Sequence, residues 1–308
     1  MILKLGTRSS NLALTQSRSV ARMLEKAHPG LSIELVEIKT TGDMVTDKPL
    51  KSFGGAGVFV KELESALQDG RADFAVHSLK DMPTRQPSGL VLGAILGRED
   101  PRDVVITKKK VPLEKLPSKS VIGSGSMRRR AQLARHFPGL VFAEIRGNVE
   151  TRIKKVESGE YAGTILARAG LKRLKLLEHV AQVLPFSIML PAAGQGALGV
   201  ECRSSDRRVQ KILESIHQEK VAECVNAERS LLETLGGGCH LPVGALGTLT
   251  ASGELKLIAA LGLPDGTKLL RMQDQGPPAE ARAIGRRLGK RMLAGGGAEI
   301  LKLLESQG

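Results

Sequence analysis

A cysteine in a glycine-rich run is the first residue of this sequence that could do chemistry. Cys239 follows three glycines, Gly236-Gly237-Gly238, and precedes His240-Leu241-Pro242. The glycines give the backbone ready access to positive φ and shield the thiol little, so that a reacting partner can approach it closely. Such a thiol suits a nucleophile or a covalent attachment point. A Cys-His dyad and a flexible turn with an incidental cysteine are the alternatives, although adjacent side chains rarely meet in the geometry of a dyad.

A lysine and an aspartate follow a short apolar run in Ala75-Val76-His77-Ser78-Leu79-Lys80-Asp81-Met82-Pro83. The run predicts a buried strand, and ligands of open α/β sheets gather at the carboxyl ends of strands. Asp81 could act there as a general acid or base or hold a cationic intermediate, and Lys80 would keep it ionised. A salt bridge within a loop is the alternative for this pair. His77 alone is expected to be a structural histidine.

Serine and arginine combine at the start of two predicted helices, and an arginine and an asparagine open a third. The first group has Arg8 and Ser10, the second has Ser124, Ser126, Arg128 and Arg129, and the third begins with Arg146-Gly147-Asn148. A helix N-terminus offers unpaired N–H groups and a partial positive charge, and a guanidinium binds carboxylate or phosphate with two parallel hydrogen bonds. These turns therefore predict anion sites without separating carboxylate from phosphate. Ordinary helix capping on a solvated basic face is the alternative.

The charge of the chain favours an anionic partner. Of the net charge of +14, the segment from Ser124 to Lys175 carries +8, with twelve Lys/Arg against four acids. Such concentration indicates a site for a small polyanion. Nucleic acid is less favoured, because aromatic residues make up 2% of the chain and no zinc-finger or ribonucleoprotein motif occurs.

The cysteines and the apolar segments narrow the class of protein further. Cys202, Cys224 and Cys239 show neither disulfide nor metal-ligand spacing, so no metal is expected, and Cys202 and Cys224 lie in apolar patterns typical of a core. No apolar stretch reaches membrane-spanning length, and the N-terminus lacks the layout of a signal peptide. A cytoplasmic protein without a membrane segment is the expectation.

The elements that must position these residues alternate between strands and helices, which predicts mostly parallel sheets covered by helices. The first lobe has strands at 2–5, 31–39, 72–76 and 90–96 and helices at 11–26 and 58–68. After residues 99–102 the pattern restarts, with strands at 120–123, 140–145 and 163–167 and helices at 126–136 and 149–157. Both lobes share a strand, a Ser/Arg turn and a helix, which suggests two similar lobes facing each other across a cleft. A last unit has a helix at 221–235, strands at 245–250 and 255–261, and a helix from 279.

Taken in order, these segments resemble the porphobilinogen deaminase family over essentially the whole chain. The segments that carry the resemblance are Thr7-Arg8-Ser9-Ser10 with Gln16, Phe59-Val60-Lys61-Glu62-Leu63-Glu64, residues 77–83, residues 98–103, Ser126-Met127-Arg128-Arg129, Arg146-Gly147-Asn148 with Arg152, residues 169–173, residues 191–197 and the Cys239 loop.

The resemblance implies an α/β fold with two lobes like those of periplasmic binding proteins, built of mixed, mostly parallel sheets, and a smaller α/β C-terminal domain. The implied domains are 1–97 with 196–216, 98–195, and 217–308. It also implies that four porphobilinogen molecules are joined head to tail with loss of ammonia, after which water releases hydroxymethylbilane. The implied cofactor is a dipyrromethane held through a thioether at Cys239. No nucleic acid and no membrane are implied, and the protein is expected to be a monomer.

The resemblance also implies roles at matching positions. Asp81 matches the catalytic aspartate, which contacts pyrrole N–H groups and stabilises the methylene-pyrrolenine cation. Phe59 matches a residue near the end of the cofactor. The residues implied to bind the cofactor and substrate carboxylates, or to assist in that binding, are Arg8, Ser10, Gln16, Ser78, Lys80, Ser124, Ser126, Arg128, Arg129, Arg146, Arg152 and Arg173.

Two positions depart from the family pattern. Ala56 stands where the family usually has a lysine, and Lys51 is a hypothetical substitute for that charge. Gly125 stands between two serines where the family tends to have a serine.

A solute-binding protein for a small polyanion is the alternative from another class. It would account for two lobes and many arginines but not for the cysteine loop or the third domain.

Overall fold

The computed structural model describes residues 1–39, 60–237 and 241–306. The described helices are α1 (Asn11–Ala27), α2 (Lys61–Gln68), α3 (Met127–His136), α4 (Val149–Glu157), α5 (Arg168–Leu174), α6 (Arg207–Glu214), α7 (Glu219–Thr234), α8 (Ala281–Met292) and α9 (Ala298–Ser306). The described strands are β1 (Ile2–Thr7), β2 (Ser32–Glu37), β3 (Phe74–Ser78), β4 (Leu90–Leu96), β5 (Asp103–Thr107), β6 (Val121–Gly123), β7 (Val141–Ala143), β8 (Gly163–Ala167), β9 (Val180–Val183), β10 (Leu198–Arg203), β11 (Val243–Leu249), β12 (Leu255–Gly262) and β13 (Leu269–Gly276).

The chain divides into two compact units. Residues 1–99 with 196–222 form the first, and residues 100–195 with 223–308 form the second. The second unit therefore contains both the middle of the chain and its C-terminal part. The division into three domains stays a prediction.

The first unit is built on a five-stranded sheet of order β2-β1-β3-β10-β4. β1 pairs in parallel with β2 and β3, whereas β10 pairs in antiparallel fashion with β3 and β4. Four of these five strands thus run in one direction. α1 and α6 bury one face of the sheet through residues such as Leu24 and Leu213. α2 covers the other face with Leu63 and Leu67.

The second unit repeats this plan in a sheet of order β7-β6-β8-β5-β9. β6 pairs in parallel with β7 and β8, and β5 runs antiparallel to β8 and β9. α3 packs on one face through Leu133, and α4 and α5 pack on the other through Ile153 and Leu171. In each sheet the reversed strand directly follows a crossing of the chain between the two units. The repeated topology confirms the predicted pair of similar α/β lobes.

The C-terminal part of the second unit is an antiparallel sheet of order β11-β12-β13 covered by helices. Its core joins Leu257 of β12 to Leu231 of α7, Ile284 of α8 and Ile300 of α9. The sequence predicts two strands here, and the structure has three. β13 escapes sequence detection because polar residues alternate along it on a half-exposed face. The predicted last helix is also divided, since glycines 295–297 separate α8 from α9.

Strands β5 and β10 are absent from the sequence-based prediction. Each carries a fully buried carboxylate, Asp103 at the start of β5 and Glu201 within β10. A charged residue usually marks an exposed position, so these runs do not have the pattern of a buried strand.

Other predicted elements match well, and β4, α4 and β8 have the predicted ends. None of the helices in the described ranges is long and apolar enough to cross a membrane.

Candidate functional site

The turn that carries Asp81 lies at the carboxyl end of β3. A single 3-10 turn spans Leu79–Asp81, and the Leu79 N–H donates to the Ala197 carbonyl oxygen at 3.1 Å. Leu79 and Met82 are buried, whereas Asp81 is exposed and Lys80 is half-buried. The apolar residues on each side therefore anchor a turn that presents the Asp81 carboxylate to solvent.

The Ser/Arg turn of the first unit lies at the same edge of the sheet. β1 and β3 are parallel neighbours, so the segment after Thr7 and the segment after Ser78 leave the sheet at one edge. Gln16 of α1 donates from Nε2 to the Ser78 hydroxyl at 2.8 Å. Ser10 accepts from the Ala13 N–H at 3.4 Å as the N-cap of α1, and Arg8 is half-buried. The described first-unit residues of the predicted site thus gather at one edge.

Of the two predicted serines of the second unit, Ser126 caps α3 and Ser124 supports the turn before it. The Ser126 hydroxyl accepts from the Arg129 N–H at 3.4 Å, and the Ser124 hydroxyl accepts from the Ser126 N–H at 3.3 Å. Ser124 is buried and Ser126 is half-buried. These contacts show that both hydroxyl groups stabilise the turn before α3 and the start of the helix. They agree with the alternative that the serines serve the fold of the turn.

Arg128 and Arg129 are buried around Asp103. Arg128 Nη1 donates to Asp103 Oδ2 at 2.7 Å and to the Leu190 carbonyl oxygen at 2.7 Å. Arg129 Nη2 donates to Asp103 Oδ1 at 2.8 Å, and its Nη1 donates to the Ile165 carbonyl oxygen at 2.8 Å. The side chain of Asp103 is 0% exposed, and those of the arginines are 5% and 8% exposed. The two guanidinium groups therefore tie α3 to β5, β8 and the segment before residue 191.

The electrostatics of this cluster leave a surplus of positive charge. Burial raises the pKa of Asp103, but Arg128 and Arg129 more than offset it and hold that pKa far below its usual range. Burial lowers the pKa of Arg128. Two guanidinium groups share one carboxylate, and Gln195 Nε2 adds a neutral donor to Asp103 Oδ1 at 3.1 Å. A buried surplus of this kind favours a bound anion nearby, because unbalanced buried charge is costly.

Asp103 belongs to this cluster but is not among the predicted site residues. It is the last residue of Arg98-Glu99-Asp100-Pro101-Arg102-Asp103, where the preceding proline and charged residues indicate a turn. The sequence signals for it are its place in the segment 98–103, which carries the family resemblance, and its position directly before the apolar run Val104-Val105-Ile106.

The remaining predicted arginines lie on the surface of the second unit. Arg146 Nη2 lies 3.5 Å from Glu144 Oε1, and Arg152 Nε donates to the Gly147 carbonyl oxygen at 2.9 Å. Asn148 accepts from the Thr151 N–H at 2.8 Å and caps α4, which is the capping alternative for this turn. Arg173 is half-buried in the last turn of α5. The Arg146 loop and the Ser124–Ser126 turn adjoin, since a Cβ atom at Gly125 would lie 3.3 Å from Glu144 Oε1.

The approach to the cysteine loop has the backbone that its glycines predict. α7 ends at Thr234, and Gly236 and Gly237 have φ angles of 111° and 74°. Glu228 of α7 is buried and accepts from the N–H groups of Gly194 and Gly247 at 2.7 and 2.6 Å. Cys239 and Phe59 lie outside the described residues, as do Lys51 and Ala56.

Comparison with known protein families gives two matches in succession along the chain. Residues 3–211 match the family described as "Porphobilinogen deaminase, dipyromethane cofactor binding domain". Residues 222–294 match "Porphobilinogen deaminase, C-terminal domain".

Among solved structures, the chain is similar to a double mutant of the VFT2 domain of BvgS from Bordetella pertussis, with 14% identity, a TM-score of 0.43, and coverage of 74% of this chain and 93% of that one. It is also similar to the methionine binding protein MetQ, with 13% identity, a TM-score of 0.46, and coverage of 72% and 92%.

Proposed function

The chain belongs to the porphobilinogen deaminase family, and within the reaction of that family we propose that Asp81 is the catalytic group and Cys239 the attachment point of the cofactor. The protein is a transferase of tetrapyrrole biosynthesis with a dipyrromethane cofactor. It joins four porphobilinogen units head to tail with loss of ammonia and releases hydroxymethylbilane.

The exposed carboxylate at the end of β3 is the observation that carries the role of Asp81. Buried Leu79 and Met82 anchor the backbone of this turn on both sides of Asp81. The position of the Asp81 backbone is therefore fixed, and its carboxylate is exposed. Such a group accepts hydrogen bonds from pyrrole N–H groups of the substrate. Its negative charge favours departure of the substrate amine as ammonia and stabilises the cation that remains, and the carboxylate can then accept the α-proton.

The donor set of the second unit fits a cofactor with several carboxylates. Each pyrrole carries one acetate and one propionate, and the Arg128–Arg129–Asp103 cluster has a surplus positive charge. We propose that Arg128 and Arg129 balance that surplus with cofactor carboxylates. When bound, the cofactor supplies the pyrrole carbon to which the first substrate is joined. The residues proposed to bind further carboxylates or to assist are Arg8, Ser10, Gln16, Phe59, Ser78, Lys80, Ser124, Ser126, Arg146, Arg152 and Arg173.

Intact mass spectrometry tests the attachment point. The purified protein is expected to be heavier than its sequence by two pyrrole units, and Cys239→Ser is expected to have its sequence mass. Cys224→Ser is a matched control, because Cys224 is a buried cysteine and should leave the added mass in place. An unmodified wild type purified in active form, or an added mass retained by Cys239→Ser, would reject the proposal.

Charge-conserving variants test the arginine pair. Arg128→Lys and Arg129→Lys keep a positive charge but lose the forked geometry that contacts Asp103 and a carbonyl at once. We expect lower cofactor loading or slower early elongation. Full loading together with unchanged elongation would remove both residues from the proposed site.

We also propose a cytoplasmic monomer of three domains that acts on porphobilinogen without nucleic acid. The proposed domains are 1–97 with 196–216, 98–195, and 217–308. Family membership supports this description. Light scattering on the purified protein tests whether it is a monomer. Titration with duplex DNA tests whether it binds nucleic acid. A dimer, or duplex binding that weakens steeply with salt, would contradict it.

A further inference from the structure

A fully buried carboxylate lies directly behind the catalytic turn. The Glu201 side chain on β10 is 0% exposed, and neither of its oxygens has a hydrogen-bond partner among the described residues. It faces the 5% exposed imidazole of His77, whose Nε2 lies 3.4 Å from Glu201 Oε2. At that length the contact is close but is not a well-formed hydrogen bond. Because a buried carboxylate without hydrogen bonds is costly, this position calls for a reason other than stability.

The register of two strands places both groups on one face of the first sheet. His77 is opposite Gly199, and Ala75 is opposite Glu201. Residues directly opposite each other share a face, so His77 and Glu201 are diagonal neighbours there. This is the face that α2 covers.

α2 brings a third titratable group to the same place. Burial raises the pKa of Glu64, the nearby charge of Glu201 raises it further, and His77 and Lys61 act in the opposite direction. Two carboxyl groups and one imidazole thus share this space, and Lys61 is the other charged group that faces Glu64 from its own helix. β10, β3 and α2 each contribute one member.

The turn that carries Asp81 rests on the same part of β10. Leu198 pairs with Ser78, and the Leu79 N–H donates to the Ala197 carbonyl oxygen. A Cβ atom at Gly199 would lie 2.8 Å from Leu79 Cδ1 and 3.2 Å from Met82 Sδ. The two apolar residues that flank Lys80 and Asp81 therefore pack onto a position two residues from Glu201, where only glycine leaves room.

We propose that Glu201 and His77, with Glu64, form a positioning cluster that holds the Lys80–Asp81 turn against β10, and that the charge of Glu201 is needed for this. The proposal rests on the proposed role of Asp81. The contact between His77 and Glu201 fixes the end of β3 one residue before Ser78, where the backbone turns toward Asp81. An apolar pair of similar volume would be as stable or more stable, so the cost of the charge points to orientation rather than folding.

Glu201→Gln separates the two roles, because it keeps the side-chain volume and removes the charge. The amide that replaces the carboxylate carries no charge that must be buried. We expect an unchanged or higher unfolding temperature, full cofactor mass and a KM within about twofold of wild type. The kcat is expected to fall about 10-fold to 100-fold, which is the size of effect that a small misplacement of a catalytic group has. Glu25→Gln is the matched control in the same unit, since Glu25 accepts from the Ile33 N–H and an amide oxygen can keep that bond.

His77→Gln and the double variant complete the test. His77→Gln should lower kcat to a similar extent, and the double variant should lose little more, because contacting residues that act together are not additive. A wild-type kcat in Glu201→Gln, or independent losses in the double variant, would overturn the proposal. So would a fall in kcat of Glu201→Gln that is matched by a lower unfolding temperature and lost cofactor mass in that same variant.

Carboxyl carbon chemical shifts measured by NMR check the cluster without using activity. The pKa of Glu64 should fall in Glu201→Gln, because one of the two causes that raise it is removed. The pH profile of kcat should change in the same variant and stay unchanged in Glu25→Gln. An unchanged pKa of Glu64 in Glu201→Gln would contradict the proposed contact between Glu64 and Glu201. Full turnover in Asp81→Asn would instead reject the proposed function and leave the Glu64 titration as a valid test of the contact.

Discussion

Arg129 and Asp103 form a buried ion pair in which Arg129 Nη2 lies 2.8 Å from Asp103 Oδ1. The same carboxylate also pairs with Arg128, so one acid on β5 orients two of the arginines proposed to bind the cofactor. Both arginines lie in the first turn of α3, where the N-terminal end of the helix adds a partial positive charge. The pair therefore supports the fold and the proposed anion site together.

Replacing Asp103 should destabilise the second unit strongly. Asp103→Asn leaves two buried guanidinium groups without a carboxylate, and removal of one partner of a buried pair typically costs about 3–5 kcal/mol. Denaturant unfolding measures this loss. Asp69→Asn is the control, because the pair of Asp69 with Arg71 is exposed and its removal should change the free energy of unfolding little. Equal losses in the two variants would contradict the buried pair.

Acid should weaken the protein through Asp103. The pKa of Asp103 is held below its usual value of 3.8 in the folded state, so its stabilisation is complete above that value and is lost as the pH falls below it. The free energy of unfolding of wild type should therefore decline over this acidic range. The decline should be shallower in Asp103→Asn, measured as a series of unfolding curves at decreasing pH. Parallel curves for the two proteins would count against the proposed linkage.

Removing the carboxylate of Asp81 should stop turnover without removing the cofactor. Asp81→Ala is expected to retain the added mass while kcat falls by at least about 100-fold, in line with the loss of a general acid or base. Asp69→Asn serves as a control, because its exposed pair with Arg71 lies at the end of α2 away from the turn. Near-normal turnover of Asp81→Ala would remove Asp81 from its proposed role.

The Glu144 carboxylate should compete with bound anions for Arg146. The two side chains are 60% and 26% exposed, and such a pair contributes about 1 kcal/mol at most. Glu144→Gln should therefore lower the KM for porphobilinogen by up to about fivefold, with a larger effect at low salt. Glu160→Gln, which releases Lys155 instead, should change the KM little. An unchanged KM at low salt in Glu144→Gln would place Arg146 outside the site.

Two of the three thiols should be unreactive in the folded protein. Cys202 and Cys224 are buried, and burial raises the pKa of Cys202 to about 11, which suppresses its thiolate. In Cys239→Ser, a thiol reagent at neutral pH should modify neither residue until the protein is denatured, when both should react. Rapid labelling of the native variant would show that one of these sulfurs is accessible.

The sequence by itself determines the local features of this protein. The alternation of strands and helices, the capping serines of α1 and α3, the capping Asn148 of α4 and the turn after β3 all follow from short patterns, because their hydrogen bonds and periodicities involve neighbours in the chain. The order of the motifs along the chain is also sufficient to identify the family. Cys239 and Phe59 are predicted from the sequence alone, because they lie outside the described residues.

Only the tertiary structure decides which charged residues are buried. The Asp103 carboxylate and its Arg129 partner are 26 residues apart, and Glu201 contacts a histidine from a different strand. Both carboxylates read as surface positions in sequence, because a charge is buried only where distant partners compensate for it. Strand pairing between distant segments likewise makes β5 and β10 the reversed strands of their sheets. Strand neighbours and ion partners from distant segments are settled when the chain folds, and no local pattern encodes them.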